Sequence, residues 1–302
     1  MSFKYINPGY AELLSVSGGT TVTGEQYSRT GVSFWQPNYY KGLDLSEVSP
    51  ELYGRFDMYI KNSENANRAR LSIAIGSYKI VKAETSWNSW KIHGNNNNNT
   101  LAASDAVRTK AISTVWFHIK PGENNNGVFH AIIDEREVCN IQNANIEYLT
   151  DSDAKTIKIS SLTDEILISS LILSDEKISP REQVVMLPVK ETQTNMTDCS
   201  DGSYEATAAG QELLQTVDVS SLISQYGGNS RVVSIAPFAK PAYRTAEGLC
   251  ALTAIEKSGG IITEHGRHIA GQDTAGYVMG AYDTSLRIAE LAERQFGWRA
   301  GT

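Results

Sequence analysis

The chain has 302 residues, 41% hydrophobic and 20% charged, with a formal net charge of −7. That length suits two ordinary domains, and the apolar content is enough for real cores. Acidic residues outnumber basic ones both before and after Pro188, so no nucleic-acid partner is expected, because phosphate neutralisation needs clustered Lys and Arg.

No apolar run reaches the length of a membrane span, so no membrane insertion is expected. The start, Met1 to Pro8, has no signal-peptide apolar core, which predicts synthesis and folding in a cytoplasm whatever the final location. Ser, Thr, Asn and Gly supply the polar weight; with 14 Tyr and only 8 Pro, this suits a β-rich chain with many turns. Cys139, Cys199 and Cys250 are widely spaced, with no C-x-x-C or Cys/His pattern, and read as free thiols packed as small hydrophobes.

Turn signals punctuate residues 1–50, among them Asn7-Pro8-Gly9, Ser17-Gly18-Gly19 and Pro37-Asn38. Short strands fit between them. The segment 52–60 alternates most clearly, with Leu52, Gly54, Phe56, Met58 and Ile60 on one face. Tyr53, Arg55, Asp57 and Tyr59 take the other. Segment 70–75 alternates again, and Asn95 to Asn99 reads as an exposed loop.

Val115, Phe117 and Ile119 alternate with Trp116, His118 and Lys120. A turn over 121–127 then leads into 128–133, predicting a hairpin. A second tight reversal follows at Asp134-Glu135-Arg136. The run 166–173 holds six large aliphatics around Ser169 and Ser170, the pattern of a strand buried on both faces. Ser179, Pro180 and Glu182 predict a helix start with a capping box, ending at Pro188.

Beyond Pro188 the texture is polar and turn-rich, with Asp201-Gly202 as a hairpin-type turn. Segment 219–226 predicts one or two helical turns, capped by Asp218 and stopped by Gly227-Gly228. Strands are predicted over 231–235, 249–256, 260–264, 267–270 and 275–282. Segment 284–295 is read as extended, against the alternative of a helix with Leu286, Ala289 and Ala292 on one face. The fold class is therefore all-β: an antiparallel sandwich at 1–188 and a second, smaller β-rich domain at 189–302.

Four stretches carry a resemblance. They are 51–60, Trp116-Phe117-His118-Ile119, Val128 to Asp134, and Ile168 to Asp175. In this order they resemble the middle strand, paired strands and hairpin, and closing strand of the concanavalin A-like (laminin G-like) lectin/glucanase jelly roll. This chain has Glu135 where that family often has Gly. The later segments Asp201 to Ala208, Pro241 to Thr245 and Phe296 to Gly301 are similar to small β modules that follow such jelly rolls in phage and prophage tail-type structural proteins.

The resemblance raises glycoside hydrolysis first, which needs two carboxylates across a sugar. Enzymes of that superfamily present them as E-x-D-x-E on one strand, and this chain has none. Glu135 and Glu137 would share a face, but they sit in a turn and read as an exposed hairpin tip. We therefore expect no catalytic residues and no enzyme.

Sugar binding by Tyr53, Arg55, Asp57 and Tyr59, joined by Trp116 and His118, is the functional alternative, since aromatic rings stack on sugars and charged groups bond hydroxyls. The plainer alternative is a sheet covered on both faces, with Arg55 and Asp57 paired within it. Trp87 and Trp90, beside the Asn loop, form a second sugar candidate.

His265 and His268 fall on opposite faces of an extended segment, and Asp151-Ser152-Asp153 lacks the remaining calcium ligands, so no metal and no cofactor is expected. The combined expectation is a non-enzymatic structural or adhesive component of a phage tail or similar surface assembly, glycan-binding in one version. It would be assembled in the bacterial cytoplasm and end in the virion. Its partners would be copies of itself, other structural proteins and cell-surface glycan. The alternative is a carbohydrate-binding module of a bacterial cell-surface protein.

Overall fold

A computed structural model of the chain describes residues 4–8, 19–22, 34–37, 41–44, 51–60, 71–75, 78–82, 90–94, 99–104, 111–120, 122–146, 156–161, 166–241, 250–270 and 278–301. The chain divides into two compact units, Met1–Met186 and Leu187–Thr302. The protein is mostly β, with antiparallel pairing throughout, and the first unit is a jelly-roll sandwich.

The first unit holds an 8-stranded sheet. In spatial order it runs Arg136–Ile146, Gly122–Ile133, Ile112–Lys120, Leu52–Ile60, Ile166–Ser174, Phe34–Pro37 and Gly19–Val22, with Lys4–Asn7 also paired on Ile166–Ser174. A 6-stranded sheet runs Lys41–Asp44, Thr156–Ser161, Leu71–Ile75, Tyr78–Lys82, Trp90–Gly94 and Asn99–Ser104.

Strict period-two alternation builds the large sheet. Val115 sits opposite Phe56, Phe117 opposite Gly54 and Ile119 opposite Leu52. On the next strand Phe129 and Ala131 continue that face. Phe56, Met58, Phe117 and Phe129 are fully buried there and form the core. Gly54 is required by this packing, because a Cβ there would lie 2.0 Å from the Phe117 ring.

The Ile166–Ser174 strand is buried along its described length. Its two serines have a specific task. Ser169 pairs with Asp57 and Ile172 with Arg55, so Ser170 and Leu171 stand opposite Phe56 alone. This is a β-bulge, with Ser170 at φ 52°, and it returns Ile172 to the Arg55 face.

Two local expectations are corrected here. Residues expected as the 121–127 turn are largely strand: Gly122–Ile133 runs on, because its first half pairs with Arg136–Ile146 through bulges. The helix expected from Ser179 to Pro188 is absent. One capping-box bond does form, Ser179 N–H to Glu182 Oε1 at 2.8 Å, and the Ser179 Oγ accepts from the Arg181 N–H at 3.2 Å. They close only a single turn. Beyond it 182–188 is neither helix nor strand, and Ile178 and Val184, on either side of the turn, pack onto Trp116. Packing of β-branched side chains has overridden a local helix signal.

The second unit centres on a 5-stranded sheet, in order Val189–Thr194, Glu212–Val217, Arg294–Gly301, Cys250–Ser258 and Ile261–Ala270. A helix, Ser220–Tyr226, follows Asp218, whose Oδ1 accepts the Ser220 N–H at 2.9 Å; Gly227 at φ 81° ends it. The extended reading of 284–295 is corrected over Ile288–Glu293, which is a 3-10 helix before the Arg294–Gly301 strand. Arg287 N–H donates to Glu290 Oε2 at 2.7 Å, and Ile288 and Leu291 are buried beneath the turn. No helix among the described residues is long and apolar enough to cross a membrane.

Candidate functional site

The face of the large sheet opposite its core carries Tyr53, Arg55 and Asp57 on one strand and Thr114, Trp116 and His118 on the next. Trp116 pairs in register with Arg55 and His118 with Tyr53. Alternation thus puts Tyr53, Arg55, Asp57, Trp116 and His118 on one face, as the sequence predicts, and the structure adds Thr114. What the sequence could not reveal is the segment after Ile178, which lies over part of that face.

Arg55, Asp57 and Trp116 are only 2%, 7% and 4% exposed. Arg55 Nη2 and Asp57 Oδ1 form an ion pair of 2.9 Å, Thr114 Oγ1 donates to the same carboxylate at 2.8 Å, and Arg55 Nη1 donates to the Ser170 carbonyl at 3.4 Å. Trp116 Nε1 donates to the Ile178 carbonyl at 3.1 Å. These polar groups are spent inside the protein, so the sugar hydrogen bonds expected of Arg55, Asp57 and the Trp116 indole N–H are corrected, while the Trp116 ring still lines a pocket on this face.

Tyr59 is half-buried at the far end of its strand. Trp87 lies outside the described residues, and of Trp90 only the backbone, on the Trp90–Gly94 strand, is described.

Two features remain accessible on this face. The first is a row of titratable groups. The Tyr53 and His118 rings stack at 4.1 Å, and Glu51 Oε1 accepts from both Tyr53 Oη at 2.9 Å and His118 Nε2 at 2.8 Å. Across the next strand, His130 Nε2 lies 2.8 Å from Glu137 Oε2.

Burial holds the His118 imidazole below its ordinary range, with His130 and Lys120 adding to that and Glu51 pulling the other way. Burial raises the Tyr53 phenol to about 12, helped by Glu51. Burial also works against the Glu51 charge, but bonds from His118 and Tyr53 outweigh it and hold the carboxyl below its usual range. At neutral pH the His118 contact is therefore a neutral imidazole donating to a carboxylate, an arrangement that leaves the ring able to take up a proton.

A pH dependence follows. In the second unit His265, stacked on Tyr282 at 3.5 Å, is also pushed down, by burial first. Both folded imidazoles bind protons less readily than in the unfolded chain. Stability is therefore whole above about pH 6.5 and falls as the pH drops below it. Thermal melts should show a lower Tm at pH 5 than at pH 7. His118→Gln should narrow that difference; a difference of the same size in the variant would refute the assignment.

The second feature is a pocket of about 510 Å³ beside Trp116, within the 300–1,000 Å³ typical of small-molecule sites. Its lining is Arg55, Thr114, Trp116, Ile132, Asp134, Glu135, Pro180, Arg181 and Gln183. Asp134 and Glu135 are the two turn residues of a tight hairpin, both left-handed at φ 48° and 64°. Asp134 is pinned there, with its N–H on the Thr114 carbonyl and its Oδ1 accepting the Thr114 N–H, both 2.9 Å. Arg181 Nε lies 3.8 Å from Glu135 Oε1 across the mouth, and both side chains are highly exposed.

Of this rim the sequence points to Asp134 and Glu135 only as a tight reversal with an exposed tip, and to Pro180 only as a helix start; it does not mark Arg181 or Gln183 as site residues. The available signal was the pair of charged residues at a glycine-type turn. Among the described residues no group of three His, Cys, Asp or Glu could hold a metal ion.

No protein-family model and no curated protein matches the chain. Solved structures similar to it include three worth naming. An endo-β-1,4-glucuronan lyase from the fungus Trichoderma reesei is 12% identical at a TM-score of 0.40, covering 56% of this chain and 94% of its own. The alginate lyase Aly36B is 14% identical at 0.35, with 57% and 95% covered. Arcelin-5, a lectin-like defence protein from Phaseolus vulgaris, is 11% identical at 0.36, with 57% and 97% covered.

Two of the three are polysaccharide lyases. This overturns the expectation that the chain is not an enzyme. That expectation rested on a missing E-x-D-x-E pattern, which speaks to hydrolysis by paired carboxylates and not to lyase chemistry.

Proposed function

We propose that the chain is a glycan-binding protein and that the pocket beside Trp116 takes the saccharide. One observation carries this reading. The lining joins apolar walls from Trp116, Ile132 and Pro180 to side chains on the rim that both donate and accept, Arg181 and Gln183 against Asp134 and Glu135. A sugar ring presents the same combination, apolar C–H faces edged by hydroxyls that do both.

The test is a glycan array followed by calorimetric titration of the hits. Arg181→Ala and Gln183→Ala both change exposed positions and should leave the fold intact. Each should weaken binding about tenfold, the worth of one good hydrogen bond. A silent array, or variants that bind as the parent does, would overturn the site. The same mixtures should be read for new chain ends, so that turnover is scored beside retention.

We further propose that this binding serves adhesion in a phage tail or comparable surface assembly. What supports it is the order of parts, a jelly roll followed by a smaller β unit. The second reading is a carbohydrate-binding module of a bacterial surface protein. The assembly reading requires self-association. Light scattering that shows a clean monomer at high concentration counts against it and favours the module.

A further inference from the structure

We infer that the pocket holds its saccharide through an acetamido group, whose carbonyl oxygen accepts from Arg55 Nε. The inference rests on the glycan-binding reading above and concerns the same site.

One buried nitrogen carries it. Arg55 lines the pocket and is 2% exposed. Its Nη2 is held by Asp57 at 2.9 Å, and its Nη1 donates to the Ser170 carbonyl at 3.4 Å. Its Nε is shielded from solvent and has no hydrogen-bond partner. A buried donor left unpaired is costly, and native proteins seldom keep one unless something else completes it. This one belongs to a side chain in the lining of a pocket, so a ligand is what completes it.

The surroundings of Arg55 specify the ligand group. It has to accept, because Nε–H only donates. It has to be neutral, because Asp57 already balances the guanidinium and a second carboxylate beside it would meet a like charge. It has to suit an apolar wall. Arg55, Trp116 and Ile132 stand in one row across three strands, Arg55 opposite Trp116 and Trp116 opposite Ile132, and all three line the pocket.

A hydroxyl accepts, but it adds a hydrogen that needs an acceptor of its own when buried. An acetamido group meets every condition. Its carbonyl oxygen takes the Nε–H without bringing a hydrogen, and its methyl group lies on Trp116 and Ile132. Its N–H is met at the rim by Glu135 or by water. To reach the carbonyl the guanidinium turns about its Asp57 anchor, and the bond it gives up is its weaker one, to Ser170.

The experiment is a glycan array of matched pairs that differ only in an acetamido or a hydroxyl group at C2, such as chitotriose and cellotriose. The hits are then titrated by calorimetry. The acetamido member of a pair should bind at least about tenfold tighter, the worth of one good hydrogen bond. Hydroxyl members that bind as tightly or more tightly would overturn the inference while leaving the glycan reading in place. Failure of every saccharide to bind would overturn the glycan reading, and the inference with it.

Two variants test the donor itself. Arg55→Met with Asp57→Leu removes Nε together with the buried counter-charge, which preserves the fold. Arg55→Lys keeps a cation for Asp57 but has no N–H at this place in the side chain, and it decides the matter if the double variant melts early. In either one the two members of a pair should bind within about threefold of each other. An acetamido preference that survives in a folded variant would overturn the inference.

Discussion

Asp57→Ala should cost the first unit about 3–5 kcal/mol of stability, the usual consequence of stranding one partner of a buried ion pair. Arg55 would keep its charge, because a guanidinium does not give up its proton, at a position 2% exposed. The Ser170 carbonyl, accepting at 3.4 Å, is too weak a partner to replace a carboxylate at 2.9 Å. The Thr114 hydroxyl would lose its acceptor as well.

The double variant Arg55→Met with Asp57→Leu behaves differently. It removes both charges and fills the space with apolar groups, so it should fall close to the parent or above it. Urea unfolding midpoints of the parent, the single variant and the double variant settle the matter. A single variant within about 1 kcal/mol of the parent would mean that water reaches the pair, and the covering role of the segment after Ile178 would be lost with it.

That same pair shows what the sequence could and could not reveal. Alternation placed Tyr53, Arg55 and Asp57 on one face and the core residues on the other, because a strand side chain has only two directions to take. The aliphatic run that became Ile166–Ser174 was legible for a similar reason. A strand apolar on both sides has to be covered on both sides.

What covers the outer face was not legible. The cover is the segment from Ile178 onward, and its local signal said helix. The signal was real, since the Ser179 N–H does donate to Glu182 Oε1 and the Ser179 Oγ does accept from the Arg181 N–H. It was outweighed by Ile178 and Val184 meeting Trp116, a contact between residues more than sixty positions apart that no local pattern contains.

The bulge at Ser170 was equally hidden, although two serines in an aliphatic strand marked the place. The pocket was missed because its rim comes from two loops. Asp134 and Glu135 belong to a hairpin, and Arg181 and Gln183 to the covering segment. Each reads as ordinary exposed turn chemistry until the fold brings them together.

Gly297→Ala should be the most damaging single methyl group in the second unit. Gly297 lies opposite Leu214 where the Glu212–Val217 and Arg294–Gly301 strands pair. A Cβ at this position would sit 1.8 Å from the Leu213 carbonyl oxygen, 2.9 Å from its carbon and 3.1 Å from the Leu214 Cα. All three atoms are backbone, so no side-chain rotation relieves the clash. The strands must part, and they are interior members of the 5-stranded sheet, with Phe296 and Trp298 buried on either side of the glycine.

A loss of more than about 4 kcal/mol is expected, in the range that marks a specific structural fault. It should be read as collapsed hydrogen-exchange protection at the Leu213 and Leu214 amides and a lower Tm. Gly54→Ala in the first unit is the instructive contrast. There the three nearest atoms that the methyl would meet all belong to the Phe117 ring, the first at 2.0 Å. Trimming that ring with Phe117→Leu should recover part of the loss. No second-site change of a side chain should rescue Gly297→Ala. If one does, or if the single variant melts within about 2 °C of the parent, well inside the 4–8 °C expected per kcal/mol for a unit of this size, then the two strands are not held at the separation that makes glycine necessary.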